Sequence, residues 1–389
     1  MKEVKKVIFI SNFFNHHQKY FCDAMYNLLG DGFKFIETIE MTLERKSMGW
    51  GEIKIPKYVI SEIEYRNNIF KYQELITEAD VVITGSAPEF LINMRKKENK
   101  LTFRYSERPL KKGLEPLKYF FRLIKWNYKN RSRNLYMLCA SAYTSADYGK
   151  FFLFKNRCYK WGYFPETFKY ENIDKVIKNR KKNSILWVSR FIKLKHPEFP
   201  IKMAEKLRNE GYNFELNMIG TGELKNEFKK IIESKKLGKY IKIFGTMTPN
   251  EVREKMLESA IFLFTSDRNE GWGAVLNESM NSGCAVVASH AIGSVPFLLE
   301  SEKNGFIYKD GDFEDFYKKV RKLLDDDELR YKLGKNAYLT MKEMWNSENA
   351  AKRLIELAQT ILNGDKNPDI FETGVCSKAK EIKDDWFGL

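Results

Sequence analysis

Two glutamates flank a glycine-rich turn in the stretch "SDRNEGWGAVLNESMNSGCAVVAS", residues 266–289. Glu270 stands directly before Gly-Trp-Gly, and Glu278 follows eight residues later. An apolar run precedes this turn and a helix-like run follows it, so the turn is predicted to join a strand to a helix. Glycine-rich turns of this kind bind anions in α/β proteins. Because carboxylates repel phosphate, the glutamates are predicted to accept hydrogen bonds from sugar hydroxyls; alternatively, Glu270 caps the helix and Glu278 is a surface residue.

A second loop supplies the cations that a phosphate group would need. In "SILWVSRFIKLKHPE", Arg190 and Lys195 follow a predicted strand, with Lys193 and His196 beside them. The forked guanidinium and the compact ammonium suit a diphosphate. Since the carboxyl ends of parallel strands share one edge of a sheet, this loop is expected beside Glu270. The alternative is a basic loop that lies in solvent.

Two further strand-end turns complete a candidate site in the second half of the chain. They are "MIGTGE", residues 218–223, and "IFGTMTPNE", residues 243–251. Glycines at these turns would let backbone N–H and C=O groups approach the edge of a flat base. Taken singly, either could equally be an ordinary turn. They support a binding site only through their order along the chain, together with the other two loops.

The first half of the chain places polar side chains at the ends of its predicted strands. In "SNFFNHHQ", Asn12, His16 and His17 follow the first strand and open the first helix. Imidazoles at a helix N-terminus have a lowered pKa and stay neutral, so they could hydrogen-bond an acceptor hydroxyl or a phosphate. Alternatively, one histidine caps the helix and the other packs. Three further candidates for acceptor contacts end other strands of this half: Ser86, Glu107 and Arg108.

A basic and aromatic stretch, residues 108–134, differs from the rest of the chain. Between residues 104 and 133 there are ten Lys or Arg and two Glu, a local excess of +8. On a helix, two stripes would adjoin: Lys118, Arg122, Lys125 and Lys129 in one, and Leu117, Phe121, Ile124 and Tyr128 in the other, with Phe120 and Trp126 nearby. This layout is typical of a helix on an anionic membrane surface. The alternative is an amphipathic helix packed on its own sheet; nucleic acid is not expected, because no nucleic-acid-binding module is present.

The elements that must position these residues alternate short apolar runs with longer amphipathic ones. This pattern predicts an α/β protein with two doubly wound parallel sheets, covered by helices, and a cleft between the domains. Predicted strands are "KVIFIS", "FKFIE", "YVIS", "DVVITG", "KLTFRY", "LYMLCAS", "SILWVS", "FELNMIG", "IKIFG", "AIFLFTS" and "CAVVAS". Predicted helices include 17–29, 87–97, 198–210, 223–236, 250–258 and 313–324. A seam within 159–174 divides a domain of residues 1–165 from one of 166–364, and 365–389 is predicted to pack back on the first.

Length, charge and cysteine content restrict the kinds of partner and site that this chain is expected to have. The chain has 389 residues and a net charge of +15, which favours an anionic partner. Its five cysteines are scattered without a C-x-x-C pair, so free thiols in a reducing cytosol are expected rather than disulfides or a zinc site. No run approaches the ~20 apolar residues of a membrane-spanning helix, and the start lacks the features of a signal peptide. The acidic runs "DGDFED" and "DDDE" look like turns and helix caps, so no metal ion is expected.

In chain order, R-x4-K at 190–195, "IGTGE", "FGTMT" and E-x7-E at 270–278 resemble the nucleotide-sugar half of GT-B glycosyltransferases, in particular the retaining family 4. The resemblance covers about residues 183–310. It implies two Rossmann-like domains that face a cleft, the first binding an acceptor and the second a nucleoside-diphosphate sugar, expected to be a UDP-sugar. It implies no cofactor and no metal ion.

The resemblance also implies roles for individual residues. Arg190 and Lys195 would grip the diphosphate, and Glu270 would face the donor sugar. Apart from the resemblance, His16 and His17 are predicted to act in catalysis together with these three residues. The donor contacts it implies are Arg190, Lys195, Gly220, Gly222, Phe244, Gly245, Thr246, Met247, Glu270, Gly271, Trp272, Gly273, Ala274 and Glu278. The sequence departs from the family at Trp272, where phenylalanine is frequent, and at Phe297, where glutamate is frequent. It also has "SNFFNHHQ" in place of the Gly-Gly pair of the first loop.

The activity implied is transfer of a sugar, with retention, to a hydroxyl of a glycan or lipid-linked acceptor in bacterial-type cell-surface polysaccharide synthesis. The expected location is the cytoplasm, at the inner face of the cell membrane, with residues 108–134 against an anionic surface. The alternatives are an inverting GT-B enzyme with His17, His16 or Glu107 as base, an epimerase or phosphorylase acting on sugar nucleotides, and a non-catalytic module that binds a nucleotide sugar or a membrane.

Overall fold

The computed structural model describes residues 2–42, 54–113, 115–130 and 132–387. The chain divides into two compact units. The first unit contains Met1–Glu166 and Trp345–Lys383, and the second contains Thr167–Met344 and Asp384–Leu389. Each unit is an α/β structure built on one parallel sheet, which confirms the predicted fold class.

The first unit is built on a seven-stranded sheet with the order β3-β2-β1-β4-β5-β6-β7. The strands are β1 (Val7–Ser11), β2 (Phe33–Glu37), β3 (Val59–Ile60), β4 (Val81–Thr84), β5 (Thr102–Ser106), β6 (Leu135–Cys139) and β7 (Cys158–Lys160). The strand order reverses between β1 and β4, which are neighbours in the sheet. Loops at the carboxyl ends of strands diverge at such a reversal and leave a crevice for a ligand.

Helices connect these strands, and three of the described α-helices lie in stretches where the sequence predicts a helix. The α-helices are α1 (His16–Leu29), α2 (Glu62–Asn67), α3 (Ile69–Glu78), α4 (Asn93–Lys97), α5 (Pro116–Lys129) and α6 (Thr144–Gly149). Short 3-10 turns occur at Gly30–Gly32 and Glu89–Ile92. In the basic and aromatic stretch, the helix is α5.

The second unit is built on a six-stranded sheet with the order β10-β9-β8-β11-β12-β13. The strands are β8 (Lys181–Val188), β9 (Glu215–Ile219), β10 (Ile241–Phe244), β11 (Ser259–Phe264), β12 (Ala285–Ser289) and β13 (Phe306–Tyr308). The α-helices are α7 (Ile173–Lys178), α8 (Glu198–Asn209), α9 (Lys225–Ser234), α10 (Pro249–Glu258), α11 (Val275–Asn281), α12 (Val295–Leu298), α13 (Phe313–Asp325) and α14 (Asp327–Leu339), with a 3-10 turn at Lys193–Lys195. Here the order reverses between β8 and β11, which places the loops after these two strands side by side.

The chain leaves the second unit earlier than the sequence predicts. A π-helical turn, Thr340–Met344, ends that unit, and the following helix α15 (Ser347–Leu362) packs on α1 of the first unit. The segment beyond α15 then lies along β7, where the Lys160 N–H donates to Ser377 O and the Cys376 N–H donates to Lys160 O. Residues 345–364 therefore belong with the first unit, because the buried face of α15 is covered there.

The last residues of the chain also correct the prediction for 365–389. Residues 384–387 contact the second unit, where the Arg268 guanidinium pairs with Asp384 at 3.1 Å and the Phe387 ring stacks on His290. An aromatic pair at the tail supplies enough apolar surface for this docking.

Composition led to two expectations, that the cysteines are free thiols and that no helix spans a membrane. All five cysteines are buried as free thiols. Among the described residues, no helix is both long and apolar enough to cross a membrane.

Candidate functional site

The loops at the carboxyl edge of the second sheet are joined into one surface by backbone hydrogen bonds. The loop after β8 donates from Phe191 N to Thr221 O of the loop after β9 and accepts at Leu194 O from Asp267 N of the loop after β11. The loop after β9 donates from Gly220 N to Gly245 O of the loop after β10. These contacts follow the strand order, since each pair of loops follows neighbouring strands. The structure thus brings the four predicted turns together.

Glycine is required where the loops after β8 and β9 touch. Gly220 has φ of +137°, and a Cβ at this position would overlap the carbonyl oxygen of Ser189. At Gly222 a Cβ would stand 2.5 Å from Phe191 O. Both separations are shorter than van der Waals contact, so a side chain at either position would push the Arg190 loop away. The glycines of "IGTGE" therefore hold two loops in register, in addition to any contact with a ligand.

Lys195 and Glu270 form an ion pair at the reversal of strand order. The Lys195 ammonium contacts Glu270 Oε2, and both side chains are more than four-fifths buried. The Ser266 hydroxyl donates to the same carboxylate oxygen at 3.0 Å. One group suited to phosphate and one suited to a sugar hydroxyl are therefore held in contact, each on a different loop.

The backbone around Lys195 is fixed by a chain of buried hydrogen bonds. Thr265 Oγ1 donates to Lys195 O at 2.6 Å, and the Trp187 indole N–H donates to Thr265 Oγ1 at 2.9 Å. His196 has a left-handed backbone and its ring bonds Glu198 at 2.6 Å, a contact that raises the pKa of the imidazole. Trp187 and Thr265 thus position the lysine from β8 and from the end of β11.

The other predicted donor contacts lie around this pair with differing exposure. Arg190 is exposed at the end of β8, and its backbone lies against Gly220. Gly245 and Thr246 are exposed, while Phe244 and Met247 are half-buried. Gly271 is buried, and three other predicted positions are half-buried: Gly222, Gly273 and Ala274. Exposure leaves the Arg190 guanidinium accessible to a ligand.

Trp272 is a core residue rather than a side chain that faces a ligand. It is fully buried, its indole N–H donates to Asn277 Oδ1 at 2.9 Å, and its ring lies 6.4 Å from that of Phe297. Trp272 and Phe297, two of the positions where the sequence departs from the family pattern that it resembles, therefore lie close to each other.

Glu278 lies in the first turns of α11, and its side chain is partly withdrawn from solvent. Burial raises the pKa of this carboxyl to about 7, while the nearby Arg253 acts in the opposite direction. A carboxyl with this pKa can hold or release a proton near neutrality, so hydrogen bonding to a ligand hydroxyl would shift its charge state. Glu278 is thus not the solvated surface residue of the alternative interpretation.

The first unit contains a cavity of about 480 Å³ at the carboxyl ends of β1, β4 and β5. Of the residues predicted for an acceptor site, the cavity is lined by Asn12, His17, Ser86, Glu107 and Arg108. It is also lined by Arg104, Tyr105, Ser106, Lys111 and Tyr163, which the sequence did not single out. The strand-end rule identified the right edge of the sheet, but Tyr163 follows β7, which was not predicted.

The histidine pair has a different local structure from the one expected. Asn15, and neither histidine, caps α1, by accepting from His17 N at 2.9 Å. The His16 and His17 rings are 4.0 Å apart, and His16 does not line the cavity. Burial, rather than the helix terminus, lowers the pKa of His16, so that imidazole is neutral at physiological pH.

His17 is oriented by an aromatic and carboxylate chain. Its ring stacks on Tyr163 at 5.3 Å, and the Tyr163 hydroxyl donates to Glu107 Oε1 at 2.7 Å. The Lys111 ammonium contacts the other oxygen of Glu107 at 2.5 Å. Burial and the neighbouring Glu107 raise the pKa of Tyr163 well above its ordinary value, so the phenol keeps its proton and donates.

Arg108 has a structural role that its sequence position did not reveal. Its guanidinium is buried and pairs with Asp147 at 3.1 Å, while its face lies 4.7 Å from the Tyr143 ring. Asp147 Oδ2 also accepts from Leu110 N at 3.0 Å. Breaking such a pair leaves a buried charge, so Arg108 holds the cavity wall in place.

Within the described ranges, no group of three or more His, Cys, Asp or Glu is placed to hold a metal ion.

The fold and this edge of loops define a class: a protein of two parallel-sheet α/β units, with a lysine, a glutamate and glycine turns together at the carboxyl edge of the second sheet. Residues 168–340 match the family model described as glycosyl transferases group 1. The chain is also similar over 91% of its length to the whole of Anabaena HepE in complex with UDP, with a TM-score of 0.67 at 13% identity. It is similar over the same share to 98% of TarM, with a TM-score of 0.64 at 13% identity. Residues 168–340 thus resemble the group 1 glycosyltransferases. The two solved structures show that the whole chain has the GT-B fold.

Curated relatives match less than half of the chain. The chain is 26% identical over 171 residues to the poly(ribitol-phosphate) alpha-N-acetylglucosaminyltransferase of Staphylococcus aureus, which is 44% of this chain and 34% of that protein. It is 29% identical over 184 residues to the capsular polysaccharide biosynthesis glycosyltransferase CapM of Staphylococcus aureus, 45% of this chain and 46% of CapM. The matched part thus spans between a third and a half of these relatives.

Proposed function

We propose that this protein is a glycosyltransferase that moves a sugar from a UDP-sugar to a hydroxyl of a glycan or lipid-linked acceptor. The observation that carries the proposal is the contact of Lys195 with Glu270 at the reversal of strand order in the second sheet. This contact joins Lys195, which would bind the diphosphate, to Glu270, which would bind the sugar. UDP bound to HepE supports the choice of base, and the name of CapM supports cell-surface polysaccharide as the product.

The cations of the loop after β8 would stabilise the leaving diphosphate. An ammonium carries three N–H donors, so Lys195 can contact both Glu270 and a phosphate oxygen. Arg190 is exposed and can add its planar fork. Helix α11 has only seven residues, so its dipole adds little and the two side chains carry most of the charge. We propose that no metal ion is needed, because these groups are aimed where negative charge develops.

The rest of the donor would lie along the same edge. Glu270 would accept from a hydroxyl of the sugar, and Glu278 from the ribose. The backbone of 271–274 would contact sugar and phosphate, while 220–222 and 244–247 would frame the base. This arrangement follows the order of the loops across the sheet, from β11 through β8 to β10.

We propose retention of configuration. The bond from the anomeric carbon to the phosphate oxygen breaks, the acceptor oxygen bonds to the same face of that carbon, and the acceptor proton passes to the leaving phosphate. The transition state resembles an oxocarbenium ion, so positioning and electrostatics supply most of the catalysis. In the first unit, His17, Asn12, Ser86 and Glu107 would contact the acceptor.

An inverting reaction is the second candidate, because the first unit orients a histidine beside a carboxylate. His17 stacks on Tyr163, and Tyr163 donates to Glu107. In this alternative His17 takes the acceptor proton as the opposite face of the anomeric carbon is attacked. NMR of the product distinguishes the two: an α-linked donor gives an α-product by retention and a β-product by inversion, and an inverted product refutes our mechanism.

The location proposed is the cytoplasm, at the inner face of the cell membrane. A lipid-linked acceptor presents its reactive sugar or phosphate at that surface. The face of α5 described below would supply the contact.

The function is tested with the purified chain and a panel of nucleotide sugars. We expect release of UDP from one UDP-sugar, slowly with water and faster with an acceptor. Lys195→Met should lower the affinity for UDP at least roughly tenfold. The affinity for uridine should stay unchanged, because uridine lacks phosphates. Lys229→Met, at an exposed position of α9, is the matched control. Unchanged affinity of Lys195→Met for UDP, or no turnover with any nucleotide sugar, refutes the proposal.

A further inference from the structure

The outward face of α5 is apolar and uncovered by the described chain. Phe120, Phe121, Ile124 and Tyr128 are 63%, 75%, 56% and 80% exposed. The side chain of Leu117, predicted for the same stripe, lies outside the described residues. Large apolar side chains exposed together along one helix mark a surface that contacts another phase or molecule.

A different face of the helix attaches it to the first unit. The Tyr119 and Trp126 rings pack on Phe151, with centroids 5.3 and 4.6 Å apart. The Tyr119 hydroxyl donates to Lys150 O at 2.9 Å, and Asn127 Nδ2 donates to Phe151 O at 3.2 Å. Tyr119, Trp126 and Asn127 therefore attach the helix to the first unit, and the exposed rings are not needed for this attachment. This corrects the alternative in which the aromatic stripe packs on the sheet.

A neighbouring loop extends the apolar face. Phe152 is 82% exposed and has a left-handed backbone, with φ of 58°. This conformation is unfavourable for a phenylalanine. Phe152, Ile124 and Tyr128 line an open cavity of about 880 Å³, which is also lined by Arg133, Arg157 and Lys366. The patch thus combines aromatic rings with cations beyond the helix itself.

Cations flank the rings on α5. The helix carries Lys118, Arg122, Lys125 and Lys129 and no acidic residue. Lys118 and Lys125 are exposed, and Lys118 pairs with Glu115 at 2.6 Å just before the helix. Long basic side chains beside an apolar face can reach headgroup phosphates while the rings enter the interface.

We propose that this face of α5, with Phe152, docks on a lipid bilayer that carries anionic headgroups. Charge complementarity selects this partner, since each surface cation is attracted to an anionic membrane. A second copy of the chain is disfavoured, because a two-fold contact would bring the same cations face to face. The inference does not depend on glycosyl transfer, since docking needs neither donor nor acceptor.

The test is sedimentation with vesicles of phosphatidylcholine, alone or mixed with phosphatidylglycerol. We expect binding to the mixed vesicles, weakened by salt, and little binding to the neutral ones. Phe121→Ser with Ile124→Ser and Tyr128→Ser should lower the partition coefficient at least roughly 100-fold, and Lys118→Gln with Lys125→Gln roughly 30-fold. Phe70→Ser is the matched control, because Phe70 is 88% exposed in α3, outside this face.

Three results would overturn the proposal. The first is absence of binding of the unchanged chain to the mixed vesicles. The second is a triple variant that binds as the unchanged chain does, or a Phe70→Ser variant that loses as much. The third is a dimer, seen by light scattering, that the triple variant abolishes and that the addition of vesicles does not dissociate. Circular dichroism checks that each variant is folded, and UDP-sugar turnover in solution separates failed docking from failed catalysis.

Discussion

At the scale of single residues, the site depends on how each carboxylate is held. Glu270 is neutralised by Lys195 and hydrogen-bonded by Ser266, so it is fixed as an acceptor. Glu278 has its pKa raised to about 7 by burial, so its charge depends on pH in the physiological range. The two glutamates of E-x7-E therefore differ in electrostatics although they look alike in the sequence.

The raised pKa of Glu278 predicts a stability that falls as pH rises. The folded carboxyl releases its proton near pH 7 and the unfolded one near the ordinary pKa of 4.5, so the cost of ionising it grows between these values and is complete above 7. Glu278→Gln removes this cost and should stabilise the protein at pH 8 by at most about 3 kcal/mol, with little effect near pH 4.5. Urea unfolding at both pH values measures the difference.

A matched control is Glu254→Gln, at an exposed position of α10 in the same unit, which should change stability at neither pH. An equal gain for Glu278→Gln at both pH values would show that packing, not charge, is responsible. Affinity for UDP gives a second readout: if the ribose donates to the carboxylate, affinity of the unchanged chain rises as pH passes through 7, and Glu278→Gln loses that dependence.

Residue types and spacing predicted the placement of Lys195 beside Glu270, because both follow strands that the doubly wound pattern makes neighbours. They did not predict that Trp272 is buried or that Arg108 is committed to Asp147. Those outcomes depend on partners distant in the chain, Phe297 and Asp147, and no local pattern encodes such pairs. Tyr163 was missed for the same reason, since its contacts to His17 and Glu107 are tertiary.

At the scale of elements, the loop after β9 sets the position of the loop after β8. Gly220→Ala would place a methyl group on Ser189 O, and φ of +137° is unfavourable for alanine. We expect the Arg190 loop to move and UDP affinity to fall at least roughly tenfold, while the sheet stays folded. Gly238→Ala is the matched control, because a Cβ there meets nothing within 4 Å. Calorimetric titration with UDP measures both, and an unchanged affinity of Gly220→Ala contradicts this role.

All the predicted strands occur, because each contains apolar residues, most of them buried, and is bounded by turns. The strands it missed are β7 and β13, which have three residues each and lie at sheet edges. Periodicity is undefined over three residues, and β7 is covered by a segment more than 200 residues later, Cys376 and Ser377. Short edge strands of this kind are determined by tertiary contacts rather than by their own sequence.

At the scale of the whole molecule, the chain passes from one unit to the other three times, after 166, 344 and 383. The first passage was predicted to within one residue, because Pro165 and the surrounding seam interrupt the periodic pattern. The second was misplaced, since α15 has the same amphipathic pattern as the helices before it and only its partner, α1, differs. The third depends on an aromatic pair whose docking surface the sequence did not identify.

Because the chain crosses to the second unit after residue 383, we predict that the tail stabilises the second unit and not the first. Phe387 stacks on His290 at 5.6 Å and lies under the Lys319 ammonium at 5.3 Å, so Phe387→Ala should cost about 1 kcal/mol locally. Hydrogen exchange should rise in peptides around β12 and α13, with β1 to β6 unchanged. Phe371→Ala is the mirror control: Phe371 faces Arg353 at 4.5 Å within the first unit, so its loss should increase exchange in α15 and spare β12. Equal effects of both variants on both units would mean that the tail does not act on the second unit alone.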